Sequence, residues 1–188
     1  MSHNQNDRRP RLGLIGFCSD KNSSFRRGAA EAPPLIRAAL VFRCVEPLER
    51  IRNRPGWEDV FFDAGDVTTD SINQIEQSVD ALLAQGLHPL ALGGDHSITF
   101  PIIKAVARAY PALSILHFDA HPDLYHDFRG NPYSHASPFA RIMEAQLVAA
   151  SGPDRYSHHE RSSARTSGAF RCRSNRDEGS QRRFRVEV

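Results

Sequence analysis

Short apolar runs recur along the first two thirds of the chain, and each is followed by glycine or by polar residues. The runs at 11–17, 60–62, 88–92 and 113–118 are apolar nearly throughout, which is typical of strands that a parallel sheet buries on both faces. Between these runs, apolar residues recur at helical spacing. Strands that alternate with helices in this order predict an α/β domain with a mainly parallel sheet.

Three helices are predicted between the strands. The first opens at Ala32-Pro33-Pro34, because proline suits a first helical turn, where its missing N–H has no partner to lose. The second follows a cap at Thr69 or Asp70 and stops at Gly86, and the third spans 98–110. The side chains expected to face the core are Leu35, Ile36, Ala39 and Leu40 in the first helix, and Ile72, Ile75, Val79, Leu82 and Leu83 in the second.

Two of the predicted strands are followed by aspartate and histidine, residue types that commonly bind metals. Asp119, His121 and Asp123 follow the strand at 113–118, and alternate residues share one side if the strand path continues. His96 follows the preceding strand, and the carboxyl ends of parallel strands lie on one rim of the sheet. The sequence therefore predicts a metal site formed by these four side chains.

The donor atoms of this site indicate which metal it binds. Carboxylate oxygen and imidazole nitrogen, without sulfur, suit manganese among the divalent ions. Three other histidines, His88, His117 and His126, lie nearby in the sequence. His117 is expected to point to the opposite face of the strand from Asp119 and to serve in packing.

Composition excludes several classes of protein. The 188 residues suffice for one domain with a core, and the hydrophobic and charged fractions, 40% and 24%, are ordinary. No apolar run approaches the ~20 residues of a membrane span. Residues 1–10 are polar and lack a signal-peptide core, so we expect a disordered N-terminus and a cytoplasmic protein without a membrane partner. Three dispersed cysteines without a Cys-x-x-Cys argue against a disulfide framework and a zinc ribbon.

The last forty residues differ from the rest of the chain. Residues 151–188 hold nine Arg, no Lys and five acids, so their charge is +4 while the remainder sums to −2. They contain no Leu, Ile or Met, which leaves too little apolar surface to offset chain entropy. We therefore expect a disordered Arg/Ser-rich tail over 149–188. A basic tail that binds nucleic acid is the alternative, but no aromatic interleaving or motif supports a nucleic-acid partner.

Three motifs carry a resemblance to a known family. They are Gly93-Gly94-Asp95-His96-Ser97, Asp119-Ala120-His121-Pro122-Asp123 and Tyr133-Ser134-His135-Ala136-Ser137-Pro138-Phe139. The three resemble successive motifs of the ureohydrolase family, which includes arginase and agmatinase. Residues 130–144 are most similar to the agmatinase-like branch that contains plant arginases, and the similarity covers roughly 11–148, the predicted domain.

The resemblance implies a fold, a reaction and a cofactor. The implied fold has three layers, α/β/α, and the implied reaction hydrolyses a guanidino C–N bond of agmatine or arginine to release urea. Family members hold two manganese ions, which lower the pKa of a shared water toward neutrality. They commonly assemble into trimers or hexamers, so a homo-oligomer is expected. The resemblance implies four of six metal ligands in this chain: His96, Asp119 as the bridge, His121 and Asp123.

The third motif implies further site residues. His135 matches the family's Ser-His motif and is the expected proton shuttle, since imidazole changes charge near neutral pH; the alternative is a histidine in a surface loop. Asn131 and Ser134 are expected to hydrogen-bond the substrate. Asp123 is expected to act in catalysis as well as in metal binding.

The chain also departs from the family pattern. Ureohydrolases carry a downstream Asp-x-Asp motif that completes the metal pair, and no such pair occurs here. We therefore expect a C-terminally truncated or frameshifted, impaired enzyme. One set of codons that can encode 164–172, read from the second base, gives REQAERFGV, which resembles the family after the third motif. Two alternatives stay open: a non-catalytic remnant or regulatory partner of a full-length ureohydrolase, and a deacetylase of arginase-like architecture, against which the Gly-Gly-Asp-His and Ser-His motifs argue.

Overall fold

The computed structural model of the chain describes residues 11–42 and 61–148. The disordered N-terminus predicted at 1–10 and the tail predicted at 149–188 lie outside the described residues, as does the segment 43–60. All of the described residues therefore lie within the domain predicted at 11–148.

A parallel sheet of three strands forms the centre of the described chain. The strands are β1 (Arg11–Phe17), β2 (Phe61–Val67) and β3 (Leu87–Leu92). Their order is β2-β1-β3, and β1 pairs in parallel with both neighbours. Parallel strands connected through helices confirm the predicted α/β class.

Four α-helices accompany the sheet within residues 11–42 and 61–148, and the N-cap of the second differs from the one predicted. Neither Thr69 nor Asp70 caps it; the Ser71 side chain accepts a hydrogen bond from the Gln74 backbone N–H at 3.4 Å, while the Thr69 hydroxyl accepts one from the Ser71 N–H. Gly86, at φ 72, follows the helix and confirms the predicted stop, because glycine adopts left-handed backbone without strain. The helices are α1 (Ala32–Phe42), α2 (Ile72–Ala84), α3 (Thr99–Ala109) and α4 (Pro138–Glu144).

The hydrophobic core lies between one face of the sheet and helices α2 and α3. Ile75, Val79 and Leu82 of α2 are at most 3% exposed, in agreement with the predicted stripe. They join Ile15 of β1 and Ile103 of α3 in one cluster. This packing fixes the ends of β1 and β3 relative to α3, and the loops at those ends form the rim of the sheet.

The apolar stripe predicted for α1 was wrong for Leu35, Ile36 and Ala39, which are exposed; the burial of Leu40 lies outside what the structure describes. Leu35 is 65% and Ile36 42% exposed. Instead, α1 is anchored by its buried Pro33 and by Arg37, which forms ion pairs with two carboxylates of β2. Because these contacts lie on another side of the helix, Leu35 and Ile36 face outward.

The fourth predicted strand, at 113–118, is also wrong, since these residues form no strand within the described chain. Leu113 is buried while Leu116 and Phe118 are 40% and 66% exposed, so the alternation of an extended segment is present. Alternation decides which side chains face the core, but a strand also needs a hydrogen-bonded neighbour. The sequence pattern indicates which side chains face the core, but it does not indicate whether a neighbouring strand is present.

Replacing Ile103 with alanine is expected to lower the free energy of unfolding by about 2–4 kcal/mol, because it leaves a cavity at a fully buried position. Leu35→Ala is the matched control: it removes a similar side chain at an exposed position and should change stability by less than about 0.5 kcal/mol. Guanidinium denaturation of both variants measures the difference. Equal losses of stability in the two variants would contradict the exposed position of Leu35 on α1.

Candidate functional site

The loops after β1 and β3 meet at the rim of the sheet. The Asp95 backbone N–H donates to the Ser19 carbonyl oxygen at 2.8 Å. A Cβ atom on Gly94 would lie 1.7 Å from that same oxygen, so only glycine allows the two loops to approach this closely. The contact places His96, the first residue of a short 3-10 turn (His96–Ile98), at the rim.

Four side chains converge beside this turn, and we call them the His/Asp group: His96, His117, Asp119 and Asp123. Each offers one ligand atom, and these atoms all lie within 4.8 Å of one another. His96 Nε2 lies 3.3 Å from Asp123 Oδ2 and 3.9 Å from Asp119 Oδ2. His117 Nε2 lies 3.6 Å from Asp119 Oδ2. Two imidazoles and two carboxylates therefore surround one point.

The structure brings together three of the four predicted ligands. The side chain of His121 lies outside the group and is 78% exposed, with Nδ1 3.7 Å from Asp119 Oδ1. The chain turns after Asp119, where the His121 N–H donates to Asp119 Oδ1 and Asp123 has a left-handed φ of 45°. This turn ends the two-residue period on which the convergence of His121 depended. The role of His121 as a ligand stays a prediction.

The orientation predicted for His117 was wrong. His117 and Asp119 are two residues apart, so the alternation of an extended segment puts them on the same side. The His117 ring packs against Phe139, with ring centroids 4.1 Å apart, and also faces His96 at 5.5 Å. It combines packing with membership in the His/Asp group.

Burial and mutual charge set the protonation of the group. Burial and then His117 lower the pKa of His96, and burial lowers the pKa of His117, with Asp119 opposing both shifts. For Asp119 burial raises the pKa, but the His121 backbone N–H and the two imidazoles outweigh it and the net shift is downward. Burial and then Asp119 raise the pKa of Asp123 to about 6. Near neutral pH the group therefore holds neutral imidazoles and ionised carboxylates, the forms that bind cations.

The His/Asp group fits a divalent cation. In the part of the chain that the structure describes, the Nε2 atoms of His96 and His117 are buried and lack a hydrogen-bond partner. His96 Nδ1 lies 2.9 Å from Thr99 Oγ1, which leaves Nε2 directed at the carboxylates. A buried polar atom without a partner is costly, and a cation at this point would bind both nitrogens.

The carboxylate of Asp95 organises a loop beside the group. Asp95 is 6% exposed, and Oδ2 accepts the Asn22 backbone N–H at 2.9 Å while Oδ1 accepts the Ser97 N–H at 2.9 Å. The Asn22 side chain donates to Ser97 Oγ. The loop that follows β1, predicted only as polar, is thereby tied to the rim.

The remaining predicted site residues lie against this loop. His135 Nε2 is 2.7 Å from Ser24 Oγ, and Asn131 Nδ2 donates to Asn22 Oδ1 at 2.9 Å. Ser134 is 3% exposed, and its hydroxyl accepts a backbone N–H at 3.3 Å. The amide of Asn131 and the hydroxyl of Ser134 thus have partners within the protein, and their roles toward substrate stay predictions.

Within residues 11–42 and 61–148, no helix combines the length and apolar character that a bilayer crossing requires. A relative from Medicago truncatula is named a mitochondrial arginase. The cytoplasmic location expected from the N-terminus therefore stays a prediction.

Curated proteins resemble this chain over its described part. The Medicago truncatula arginase is 46% identical over 146 residues, with 70% of this chain and 43% of the relative covered. The agmatinase of Bacillus subtilis is 36% identical over 137 residues, with 70% of this chain and 47% of the relative covered. The chain thus spans less than half the length of these relatives.

Solved structures and a family model agree with these relatives. The arginase from Medicago truncatula matches with a TM-score of 0.63 and 42% identity, covering 74% of this chain and 48% of that one. The agmatine ureohydrolase of Thermoplasma volcanium matches with a TM-score of 0.61 and 28% identity, covering 74% and 47%. The model of the arginase family matches residues 10–175. Since this match covers most of the sequence, the chain belongs to the arginase family of ureohydrolases.

Proposed function

We propose that the His/Asp group is the metal site of a manganese-dependent hydrolase that cleaves a guanidino C–N bond and releases urea. The observation that carries this proposal is the convergence of His96, Asp119 and Asp123 on one point at the rim of the sheet. Relatives named arginase and agmatinase support the reaction class. Agmatine or arginine is the proposed substrate.

The site residues have separate roles in the proposed reaction. A bound divalent ion would lower the pKa of a water ligand toward neutrality and so supply the nucleophile. His96, Asp119 and Asp123 would hold the ion. Their carboxylates also favour a cationic guanidinium close by, because opposite charges attract strongly at partly buried positions.

His135 is the proposed proton donor to the departing nitrogen. An amine leaves poorly until it is protonated, and imidazole donates a proton near neutral pH. The Ser24 hydroxyl contacts Nε2 at 2.7 Å, and Phe128 meets the ring at a centroid distance of 6.1 Å.

We further propose that turnover by this chain is slow. The sequence contains no Asp-x-Asp pair, and the His/Asp group supplies two carboxylates. A second ion next to the first would lack oxygen ligands, and a site that is incompletely ligated loses affinity.

Urea release from agmatine and from arginine, with manganese added, tests the function. We expect activity from the unaltered chain and at least a ~100-fold loss in His96→Ala, because removing a ligand costs more than the 10–100-fold of a supporting residue. His126→Ala is the control, since that side chain is 83% exposed and outside the group. No urea from the unaltered chain despite manganese binding would reject the hydrolase and favour a non-catalytic partner.

A further inference from the structure

We propose that Arg129 binds a carboxylate at the far end of the substrate, so that the preferred guanidino compound carries an acid group, as arginine does and agmatine does not. The inference rests on the proposed function, because it takes the guanidino end of the substrate to lie at the His/Asp group. It deepens that function by choosing between the two proposed substrates.

A tight hairpin turn fixes the backbone of Arg129. The Phe128 N–H donates to the Asn131 carbonyl oxygen at 3.1 Å, and the Asn131 N–H donates to the Phe128 carbonyl oxygen at 3.1 Å. The two residues between them, Arg129 and Gly130, have φ values of 55° and 77°, and a type I′ turn requires positive φ at both positions. Glycine, asparagine and aspartate adopt this conformation readily, whereas arginine does so at a cost in free energy. A long cationic side chain at this strained position indicates a role for its charge.

Two residues connect the guanidinium of Arg129 to the ring of His135. Arg129 Nη1 donates to the Ser24 carbonyl oxygen at 3.3 Å, and Ser24 Oγ lies 2.7 Å from His135 Nε2. The guanidinium carbon also lies 5.4 Å from the centroid of the Phe128 ring, which in turn meets the His135 ring at 6.1 Å. Because few bonds separate the two oxygens of Ser24, the guanidinium is about 10 Å or less from the proposed proton donor.

The loop after β1 also connects Arg129 to the His/Asp group. Asn22, two residues before Ser24, forms hydrogen bonds with both sequence neighbours of His96. Arginine measures roughly 7 Å from its guanidinium carbon to its carboxylate carbon. A substrate whose guanidino group lies between the His/Asp group and His135 therefore has the length to reach Arg129.

The charge of Arg129 is available to a ligand. Within residues 11–42 and 61–148, its guanidinium bonds a carbonyl oxygen and pairs with no carboxylate. Asp127, the nearest acid in the sequence, accepts the Gly130 N–H at 3.0 Å through Oδ1, and its Oδ2 lies 3.9 Å from His126 Nδ1. A guanidinium binds a carboxylate through parallel N–H bonds and repels an ammonium group. Arg129 therefore favours a substrate that ends in a carboxylate over agmatine, which ends in an ammonium.

Calorimetry of the full chain saturated with manganese tests the inference with two ligands, agmatine and δ-guanidinovalerate. These ligands share the guanidino group and the same run of methylene groups, and they differ in ending with an ammonium or a carboxylate. We expect Arg129→Asn to shift the ratio of their dissociation constants about tenfold toward agmatine, because the substitution removes an attraction and a repulsion together. Raising the salt concentration should reduce the preference of the unaltered chain in the same direction.

Three variants separate the charge of Arg129 from its place in the turn. Asparagine and glycine both suit left-handed backbone, so Arg129→Asn and Arg129→Gly should keep the turn and show the same shift. Arg129→Lys retains the charge and should stay within about threefold of the unaltered ratio. Circular dichroism establishes that each variant is folded.

The outcomes distinguish this inference from the proposed function. An unchanged ratio in Arg129→Asn and Arg129→Gly, or an equal shift in Arg129→Lys, would overturn the role of Arg129 and leave a guanidino hydrolase intact. Failure of the unaltered, manganese-saturated chain to bind either ligand would reject the inference and the proposed function together.

Discussion

Asp123→Asn is expected to weaken manganese binding at least ~100-fold and, at the same time, to stabilise the metal-free chain at neutral pH. Asp123 is 9% exposed, has a φ of 45° and faces Asp119. Asparagine tolerates left-handed backbone and has a similar shape, so it fits without strain. It removes a charge that burial and the neighbouring Asp119 carboxylate disfavour.

The pH dependence of stability distinguishes this explanation from a general effect. The folded state raises the pKa of Asp123 to about 6, through burial and then Asp119, so the folded chain holds this proton more tightly than the unfolded chain. The stabilisation is complete below the unfolded pKa and is lost as pH rises through about 6, by up to about 3 kcal/mol. Asparagine lacks this loss, so its advantage should appear at pH 7.5 and vanish near pH 4.

Thermal unfolding without metal at pH 4, 5 and 7.5, together with manganese titration at pH 7.5, measures both effects. Asp80→Asn serves as the control, because this carboxylate is 45% exposed on α2 and pairs with Arg108 away from the site. It should alter stability by less than about 1 kcal/mol and leave metal binding unchanged. A variant Asp123→Asn that binds manganese normally, or is less stable at every pH, would contradict the assigned role.

Gly94→Ala is expected to destabilise the protein by at least about 3 kcal/mol and to abolish metal binding. The added Cβ would lie 1.7 Å from the Ser19 carbonyl oxygen and 2.7 Å from its carbon. These are backbone atoms, so no side-chain rotation relieves the overlap. The loops after β1 and β3 must separate, and His96 moves with them.

The neighbouring glycine supplies the control. A Cβ on Gly93 would come within 3.1 Å of the terminal methyl of Ile98, which can shift. Gly93→Ala should therefore cost about 1 kcal/mol and retain metal binding. Chemical denaturation and manganese titration compare the two variants, and equal behaviour would refute the close contact between the loops.

Local signals in the sequence predicted the elements whose formation depends on nearby residues. The runs that became β1 and β3 are short and apolar, and the stripe of α2 recurs at helical spacing, so pattern and structure agree there. β2 begins in the predicted run at 60–62 but continues through Asp63 and Asp66 to Val67, which the apolar pattern did not indicate. The apolar pattern at 113–118 did not make these residues a strand. A strand needs a hydrogen-bonded neighbour, and whether one is available depends on residues far away in the sequence. The stripe of α1 failed for a related reason, since anchoring through Arg37 overrides the preference of Leu35 and Ile36 for burial.

The candidate site was predictable as far as strand ends determine it. His96 follows β3 at the rim as predicted, whereas Asp119 and Asp123 reach the same point although the segment before them forms no strand in the described chain. The exposure of His121 depends on a turn that the alternation rule ignores. His117 had a usable signal, its two-residue distance from Asp119, whereas the pairing of Ser24 with His135 joins residues 111 apart with no local sign in either segment.

The long-range hydrogen bonds of the loop after β1 affect when this loop can fold during translation. Asn22 bonds residues 73, 75 and 109 positions away, and Ser24 contacts a histidine 111 positions away. Closing such distant contacts is slow, and domains emerge from the ribosome with the N-terminus first. The loop is therefore synthesised early but can complete its contacts only after residue 135 has left the exit tunnel. During translation this part of the rim cannot reach its final shape before the third motif has been made.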